Sequence, residues 1–446
     1  MSNATGLTSS RPKSASTASH RAVRRSVLPG GLRVVTEHIP GVRSASVGLW
    51  VAVGSRDEKP SVAGAAHFLE HLLFKSTPTR TAASTAQQID AIGGELNAFT
   101  GKEHTCYYAH VLDEHLATAI DIVGDVVLRG RCRAEDVEVE RTVVLEEISM
   151  RDDDPEDLLA DLFMTAMYGD HPIGRPVIGS AESITDMTRT QIKSFHGRRY
   201  TPDKMVLSVA GNVSHADVLA AVRSTFAGHL DGGAAPAPIR VGSKTIGGLP
   251  SLELSYRDTE QVHILLGVRA PGRGNPDRWA LSVLNTALGG GLSSRLFQEI
   301  RESRGLAYSV YSSVDSFADI GAFSVYAGCS PDHLAEVVTV TGEILSQVAR
   351  EGITEEELVR AKGSLIGGMV LGLEDSQSRM HRNGRGEINY GKQLSVEQTL
   401  RKIERVTVSD TSRVAGELLS RPMGAAVVGP YRSRRQLPKS LTGLIC

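Results

Sequence analysis

The second half of the chain resembles the first half at a constant displacement of 218 residues. The strand-like segment 47–53 aligns with 265–271, and His115-Leu116-Ala117 aligns with His333-Leu334-Ala335. The order strand, helix, glycine break, strands, helix, helix recurs in both halves. The sequence therefore predicts an α+β fold of two homologous α/β domains related by pseudo-symmetry, each a mixed or antiparallel sheet packed with helices, with a cleft between them.

A stretch rich in Gly, Ala and Pro separates the two copies. Residues 231–238 read Asp-Gly-Gly-Ala-Ala-Pro-Ala-Pro, a composition typical of a linker. We predict a division into a flexible basic tail over 1–24, an N-terminal domain over 25–231, a linker over 232–247, a C-terminal domain over 248–432 and a C-terminal tail over 433–446.

Composition excludes several classes of protein. Of 446 residues, 41% are apolar and 22% charged, as in globular proteins, and a net charge of −2 argues against nucleic acid as the main partner. No apolar run is long enough to cross a membrane, and residues 1–25 lack the apolar block of a secretion signal. Four scattered cysteines favour a reducing compartment. We expect a cytoplasmic protein, with the mitochondrial matrix as the alternative because residues 1–25 are basic and contain no acid.

The motif His67-Phe68-Leu69-Glu70-His71 lies in a segment with helical spacing. Histidines four apart share one face of a helix, so both imidazoles can reach one metal ion, and Glu70 can take a proton from metal-bound water. A surface helix would explain the motif equally well if it stood alone. The second copy carries Asn285, Leu288 and Gly289 at these positions. The fold therefore does not need the His and Glu side chains, which favours a functional role.

A catalytic zinc ion needs a third protein ligand. The predicted helix over 135–150 offers Glu140 and Glu147, which lie two turns apart on one face, whereas Glu146 points about 100° away. The second copy has Leu365 or Gly367 there, neither of which can bind a metal. Either glutamate could complete the site, or both could belong to a solvated acidic face.

These residues resemble the pitrilysin/insulinase-type zinc peptidases, the inverzincins, and especially bacterial members of the processing-peptidase branch. The resemblance spans roughly residues 27–430. It is carried by the motif of residues 67–71, by Glu147 and by the segments 93–100, 171–176 and 301–308.

The resemblance implies a role for each matching residue. His67, His71 and Glu147 would bind one Zn²⁺ per chain, and Glu70 would be the general base. Glu140 matches an acidic residue close to the family's site, where it could orient His71 or tune its basicity.

The resemblance also implies how substrate is held. Asn97 and Ala98 match an edge strand to which the substrate backbone adds as an extra strand. Arg301 and Tyr308 match a pair that holds the substrate and the developing oxyanion. Judged without the family, Tyr308 could equally be half-buried core and Arg301 an ordinary surface charge.

The sequence thus predicts a zinc metalloendopeptidase, a hydrolase that cleaves peptides or unfolded segments in a closed chamber. The branch implies a homodimer that closes like a clamshell, with the metal-bearing half of one chain facing the Arg301 and Tyr308 surface of the other. One alternative is a non-catalytic core or scaffold subunit of the same fold. Another is a peptide-binding chaperone with a vestigial metal.

Overall fold

The computed structural model describes residues 23–230, 232–242 and 246–445. The predicted basic tail therefore lies outside the described residues, apart from Val23 and Arg24, and Arg24 already begins the first strand. Each half of the chain forms one β-sheet with helices packed on it, which confirms the predicted α+β fold with two domains.

The first domain contains a six-stranded sheet in the order β1-β2-β6-β3-β5-β4. Neighbouring strands are antiparallel except for the parallel pair β2 and β6. The strands are β1 (Arg24–Val27), β2 (Arg33–His38), β3 (Ser44–Val51), β4 (Glu95–Thr100), β5 (Thr105–Leu112) and β6 (Met205–Gly211).

Among the described residues, the second domain repeats this topology without a counterpart of β1. Its five-stranded sheet has the order β7-β11-β8-β10-β9, again with one parallel pair, β7 and β11. The strands are β7 (Leu252–Tyr256), β8 (Val262–Pro271), β9 (Ala307–Ser316), β10 (Ile320–Cys329) and β11 (Met423–Gly429). β3 and β8 begin 218 residues apart, so the displacement found in the sequence is a structural repeat.

Helices follow the same order in both halves. The first half contains α1 (Ala65–Leu73), α2 (Ala82–Ala91), α3 (Leu116–Arg129), α4 (Ala134–Asp153), α5 (Pro155–Tyr168), α6 (Ala181–Asp186), α7 (Arg189–Arg199) and α8 (His215–Thr225). The second half contains α9 (Arg278–Gly289), a π-helical segment (Phe297–Ser303), α10 (Leu334–Glu351), α11 (Glu355–Leu371), α12 (Ser376–Tyr390), α13 (Val396–Glu404), α14 (Val408–Leu419) and α15 (Lys439–Ile445).

Two helices cross from one half to the sheet of the other. α5 packs on β8 and β11, where Phe163 and Met167 join a core with Ala426 and Val428 of the second sheet. In return α12 packs on β2, β3 and β6, where Met380 contacts the first sheet. Because each sheet is covered by a helix from the other half, burial of apolar surface ties the two domains together.

The predicted linker and C-terminal tail both contact the domains. In the linker, Arg240 donates to Asp57 at 2.7 Å from Nη2 to Oδ2. The segment 433–446, predicted as a tail, carries α15, which packs against α10. Leu441 of α15 is fully buried, because the apolar side chains of this segment complete the second core.

No helix among the described residues is long and apolar enough to cross a membrane.

Candidate metal centre

α1 carries the two histidines and Glu70 of the motif on one face. Its opposite face, with Phe68, Leu69 and Leu72, is fully buried in the first core. The helix follows Gly64, whose φ of +88° only glycine adopts readily. The carboxyl group of Glu58 accepts the backbone N–H groups of Gly64 (2.8 Å) and Ala66 (2.7 Å), which caps the start of the helix.

α4 brings the third group of the site against α1. Oε2 of Glu147 lies 3.7 Å from Nε2 of His67 and 3.5 Å from Nε2 of His71. One ligand atom from each of these three residues lies within 4.8 Å of the others. The side chains are partly buried, with 17%, 19% and 36% of His67, His71 and Glu147 exposed. The cluster is therefore reachable by a small molecule but shielded from bulk water.

The spacing of these three atoms fits one zinc ion. Ligands bound about 2.1 Å from zinc in a tetrahedral arrangement lie about 3.4 Å from one another, close to the distances from Glu147 to the two imidazoles. Two nitrogens and one carboxylate oxygen are also a donor set that zinc prefers, and it leaves a fourth position for water or substrate. The residues present thus fit the metal that the motif predicts.

Burial alters the acidity of two groups in this cluster. It lowers the pKa of His67 to about 4, with a further contribution from His71. The ring therefore stays neutral near pH 7, as a metal ligand must be. Burial also raises the pKa of Glu70, although Thr100 donates its hydroxyl to Oε2 of Glu70 and opposes this effect. A raised pKa brings a carboxylate closer to the range of a base that works near neutrality.

Glu140 lies on the other side of His71. Its Oε2 is 3.2 Å from Nδ1 of His71, and its Oε1 is 2.5 Å from Nζ of Lys75. Glu140 is only 3% exposed. α4 thus presents two carboxylates to His71, one at each ring nitrogen, because residues seven apart share a face of the helix.

β4 forms one edge of the first sheet, since among the described residues it pairs only with β5. Asn97 is exposed, and its Oδ1 accepts the backbone N–H of Ala98 at 2.8 Å. Thr100 of the same strand donates a hydrogen bond to the carboxylate of Glu70. The edge is therefore adjacent to the metal cluster and presents backbone groups to which another strand could pair.

Arg301 and Tyr308 lie next to each other in the second domain. The guanidinium carbon of Arg301 is 5.3 Å from the centre of the Tyr308 ring, at the start of the edge strand β9. Tyr308 is 77% exposed, so it is not half-buried core. Among the described residues, no hydrogen bond, ion pair or ring contact joins either side chain to the cluster on α1 and α4.

Three residues near the cluster were not singled out in the sequence. Lys75 follows His71 by one helical turn, so helical spacing could have indicated its contact with Glu140. Thr100 belongs to a segment that carries the family resemblance, but no role was assigned to it. No sequence pattern indicated Glu58, because its partners lie beyond a turn whose path the sequence does not fix.

Comparisons with known proteins agree with these features. Residues 33–181 match the family model "Insulinase (Peptidase family M16)", and residues 186–365 match "Peptidase M16 inactive domain". A protein of Mycobacterium tuberculosis called an uncharacterized zinc protease is 65% identical over 424 residues, which cover 95% of this chain and 97% of that protein. An uncharacterized zinc protease of Bacillus subtilis is 36% identical over 92% of this chain and 98% of its own length.

Two solved structures have the same fold. A protease from Helicobacter pylori superposes with a TM-score of 0.85 at 26% identity and covers 92% of this chain and 100% of its own. A peptidase M16 inactive domain from Pseudomonas fluorescens gives a TM-score of 0.83 at 22% identity, over 92% and 98% of the two chains.

Proposed function

The chain belongs to the insulinase family of peptidases, M16, and on that premise we propose that it is a zinc-dependent endopeptidase. His67, His71 and Glu147 hold the metal in this proposal. The observation that carries it is the convergence of two imidazole Nε2 atoms on one carboxylate oxygen, at 3.7 and 3.5 Å.

Held by these three residues, a zinc ion would supply the Lewis acidity that peptide hydrolysis near neutral pH requires. Glu70 is the general base in the proposal. Since the hydroxyl of Thr100 occupies Oε2 of Glu70, Oε1 is the atom that accepts a proton from water and then returns it to the leaving amine. Glu140 holds the proton on Nδ1 of His71, which leaves the lone pair on Nε2 free.

The substrate in this proposal is a peptide or an unfolded segment in extended form. Its backbone pairs with β4 at Asn97 and Ala98, which explains how one site could accept many sequences. The side chain of Asn97 must then release the N–H of Ala98. Arg301 and Tyr308 hold the substrate from the opposite wall and stabilise the developing oxyanion.

The opposite wall belongs to a second copy of the chain in this proposal. Because Arg301 and Tyr308 make no contact with the cluster among the described residues, a closed site needs another surface to face it. We propose a cytoplasmic homodimer in which the first domain of one subunit faces β9 of the other.

Purified protein tests the proposal through zinc content and peptide cleavage. We expect one zinc ion per chain and cleavage of a mixed peptide library, with cut sites mapped by mass spectrometry, that is lost with a chelator and restored by zinc. Glu70→Gln should keep its zinc and lose about 10²- to 10⁴-fold in rate, since general-base catalysis contributes that much. Glu147→Gln should lose zinc.

Glu146→Gln is the matched control, because Glu146 is the exposed neighbour of Glu147 on α4. It should retain both zinc and activity. Peptide binding without turnover would indicate the chaperone alternative, and a protein that binds neither zinc nor peptide would indicate a scaffold subunit. Either result contradicts the proposed endopeptidase.

A further inference from the structure

A cavity lies in the C-terminal half, away from the candidate metal centre. It has a volume of about 800 Å³ and lies between α9, α12 and α14. Small-molecule sites typically have about 300–1,000 Å³, so its size suits a ligand. None of the residues that we assign to the metal, the base or the substrate lines it.

The walls of this cavity carry five cations, which are Arg278, Arg382, Arg385, Lys392 and Arg421. The negative charges of Glu37 and Glu397 act on Arg382, whereas among the described residues no ion pair joins the other four side chains to a carboxylate. Arg278, Arg382 and Arg421 donate instead to backbone carbonyls, those of Arg273, Leu394 and Arg269. Carbonyl groups orient a guanidinium but do not neutralise its charge.

Two acidic residues belong to the described wall of the cavity, and both are already paired with another arginine. Asp277 and Glu417 both accept hydrogen bonds from Arg413, which is not part of the wall. Arg273 is a sixth cation of the wall, and it pairs with Glu103 of the first domain. Arg413 carries one charge and so compensates one of these two acids, which leaves five other cations against one carboxylate. The cavity therefore has a net positive charge.

The contrast along α12 argues against an accidental excess of arginine. On the face that packs against the first domain, Arg379 pairs with Glu37 at 2.6 Å, and Glu387 pairs with Arg25 at 3.0 Å. On the cavity face, Arg385 has no such partner among the described residues. Burial lowers the pKa of Arg382, although the negative charges of Glu37 and Glu397 oppose this effect. A partly desolvated cation that its surroundings do not fully compensate is costly unless something else neutralises it.

The rest of the wall is mostly aliphatic. Apolar side chains that contribute to it are Leu281, Val314, Met369, Leu373, Val414 and Leu418. The guanidinium of Arg278 is held between the rings of Trp279 (4.6 Å) and Tyr390 (4.7 Å). These two aromatic faces are thus occupied, and the remaining apolar surface suits a flexible hydrocarbon chain better than a planar base.

We propose that this cavity binds an aliphatic anion, a hydrocarbon chain that carries a carboxylate or phosphate group. The head group neutralises the cations of α12 and the following loop, and the chain lies against the aliphatic wall. The proposal is independent of the proposed peptidase function, since the cavity shares no residue with that site.

Calorimetric titration of the full chain tests this site. Decanoate and decyl phosphate, each below its micelle concentration, represent the two head groups. We expect saturable binding of at least one of them, and the preferred one identifies the head group. Decanol and decyltrimethylammonium, which have the same chain without the negative charge, should bind at least about tenfold more weakly, since a charge-assisted contact contributes about that factor.

Substitutions locate the binding in the cavity. The double variant Arg385→Gln with Lys392→Gln, at two exposed positions, should weaken binding about tenfold or more. Met369→Glu, which puts a negative charge into the aliphatic wall, should also weaken it. Arg223→Gln, which removes an exposed cation of α8 outside the wall, is the control for loss of surface charge and should change nothing. Circular dichroism verifies that each variant is folded.

Three results would overturn the proposal. The first is no saturable binding of either anion. The second is equal binding of decanol or decyltrimethylammonium, or tighter binding of ATP, which has charge without an aliphatic chain. The third is unchanged affinity in both the Met369→Glu and the Arg385→Gln, Lys392→Gln variants.

Discussion

Nδ1 of His71 lies 3.2 Å from Oε2 of Glu140, on the side of the ring opposite the nitrogen that faces Glu147. A carboxylate at Nδ1 keeps the proton on that nitrogen and directs the lone pair of Nε2 toward the third residue of the cluster. Because Glu140 is buried and also pairs with Lys75, its carboxylate is fixed in position. The relationship makes Glu140 a positioning residue for His71.

Glu140→Gln should therefore weaken zinc binding about 10- to 100-fold, the usual effect of losing such a contact. The substituted side chain keeps its shape but loses the charge that favours the Nδ1–H form. Competition with a chelator of known affinity measures the change. Glu146→Gln on the same helix is the control, and equal zinc affinity in the Glu140 and Glu146 variants would contradict the assigned role.

Glu103 joins the β4–β5 hairpin to the second domain. It is buried and forms ion pairs with Arg273 and with Arg56, the latter at 2.5 Å. Burial by itself would raise the pKa of Glu103, but these guanidinium groups, Arg273 above all, hold it below its usual range. Glu103→Gln leaves buried cations without this partner, so we expect a loss of about 3–5 kcal/mol in the free energy of unfolding.

Urea denaturation at neutral pH measures this loss, with Glu146→Gln as the control. Because the pKa of Glu103 is lowered on folding, its contribution is present at neutral pH and is lost as the pH falls through the folded-state pKa. The variant and the parent should therefore converge in stability in acid. A constant difference at all pH values would show that charge is not the cause.

Glu58 gives the opposite pH dependence. Burial raises its pKa to about 8, with opposing contributions from its bonds to Ala66 and Gly64 and from Arg175, and a small one in the same direction from Asp57. The folded state then binds a proton that the unfolded chain releases near pH 4.3. Stability from this group is full below about pH 4.3 and decreases as the pH rises to about 8.

Glu58→Gln removes this titration. We expect the free energy of unfolding of the variant to depend less on pH between about 5 and 8 than that of the parent, by on the order of a few kcal/mol, and its melting temperature to vary less with pH accordingly. Thermal denaturation followed by circular dichroism at several pH values measures it. Parallel pH profiles for the two proteins would rule out Glu58 as the source.

The repeat and the metal cluster were accessible from the sequence for definable reasons. Strand and helix periodicities are local, and the shift of 218 residues aligned β3 with β8. The spacing of His67 and His71 fixed their shared face on α1. Helical spacing alone left the choice between Glu140 and Glu147 open, because one helix face presents both, and only the family resemblance favoured Glu147. The packing of α4 on α1 determines which carboxylate meets which nitrogen.

The sequence did not predict that α5 and α12 each pack on the sheet of the other domain. The apolar face of α5, with Phe163 and Met167, indicates that the helix is buried but not which sheet covers it. The predicted C-terminal tail differs from the structure for a related reason. The apolar residues of α15 are few and close to the end of the chain, and their burial depends on a distant surface on α10.

A mixture of two inactive variants tests whether two chains share one site. Glu70→Gln removes the base of one chain, and Arg301→Ala removes the opposite wall of the other. In a two-fold symmetric dimer that shares its sites, a mixed dimer has one intact site and one doubly impaired site. Random mixing of equal amounts should then restore about one quarter of the parent activity, since about half of the dimers are mixed.

Native mass spectrometry verifies that mixed dimers form, and peptide cleavage reports the activity. If each chain instead builds its site from its own two domains, every chain in the mixture lacks one essential group. The mixture then has no more activity than the two variants measured separately. Mixed dimers without restored activity would thus refute the shared site while leaving the metal cluster of α1 and α4 unaffected, because zinc content is measured independently of the dimer.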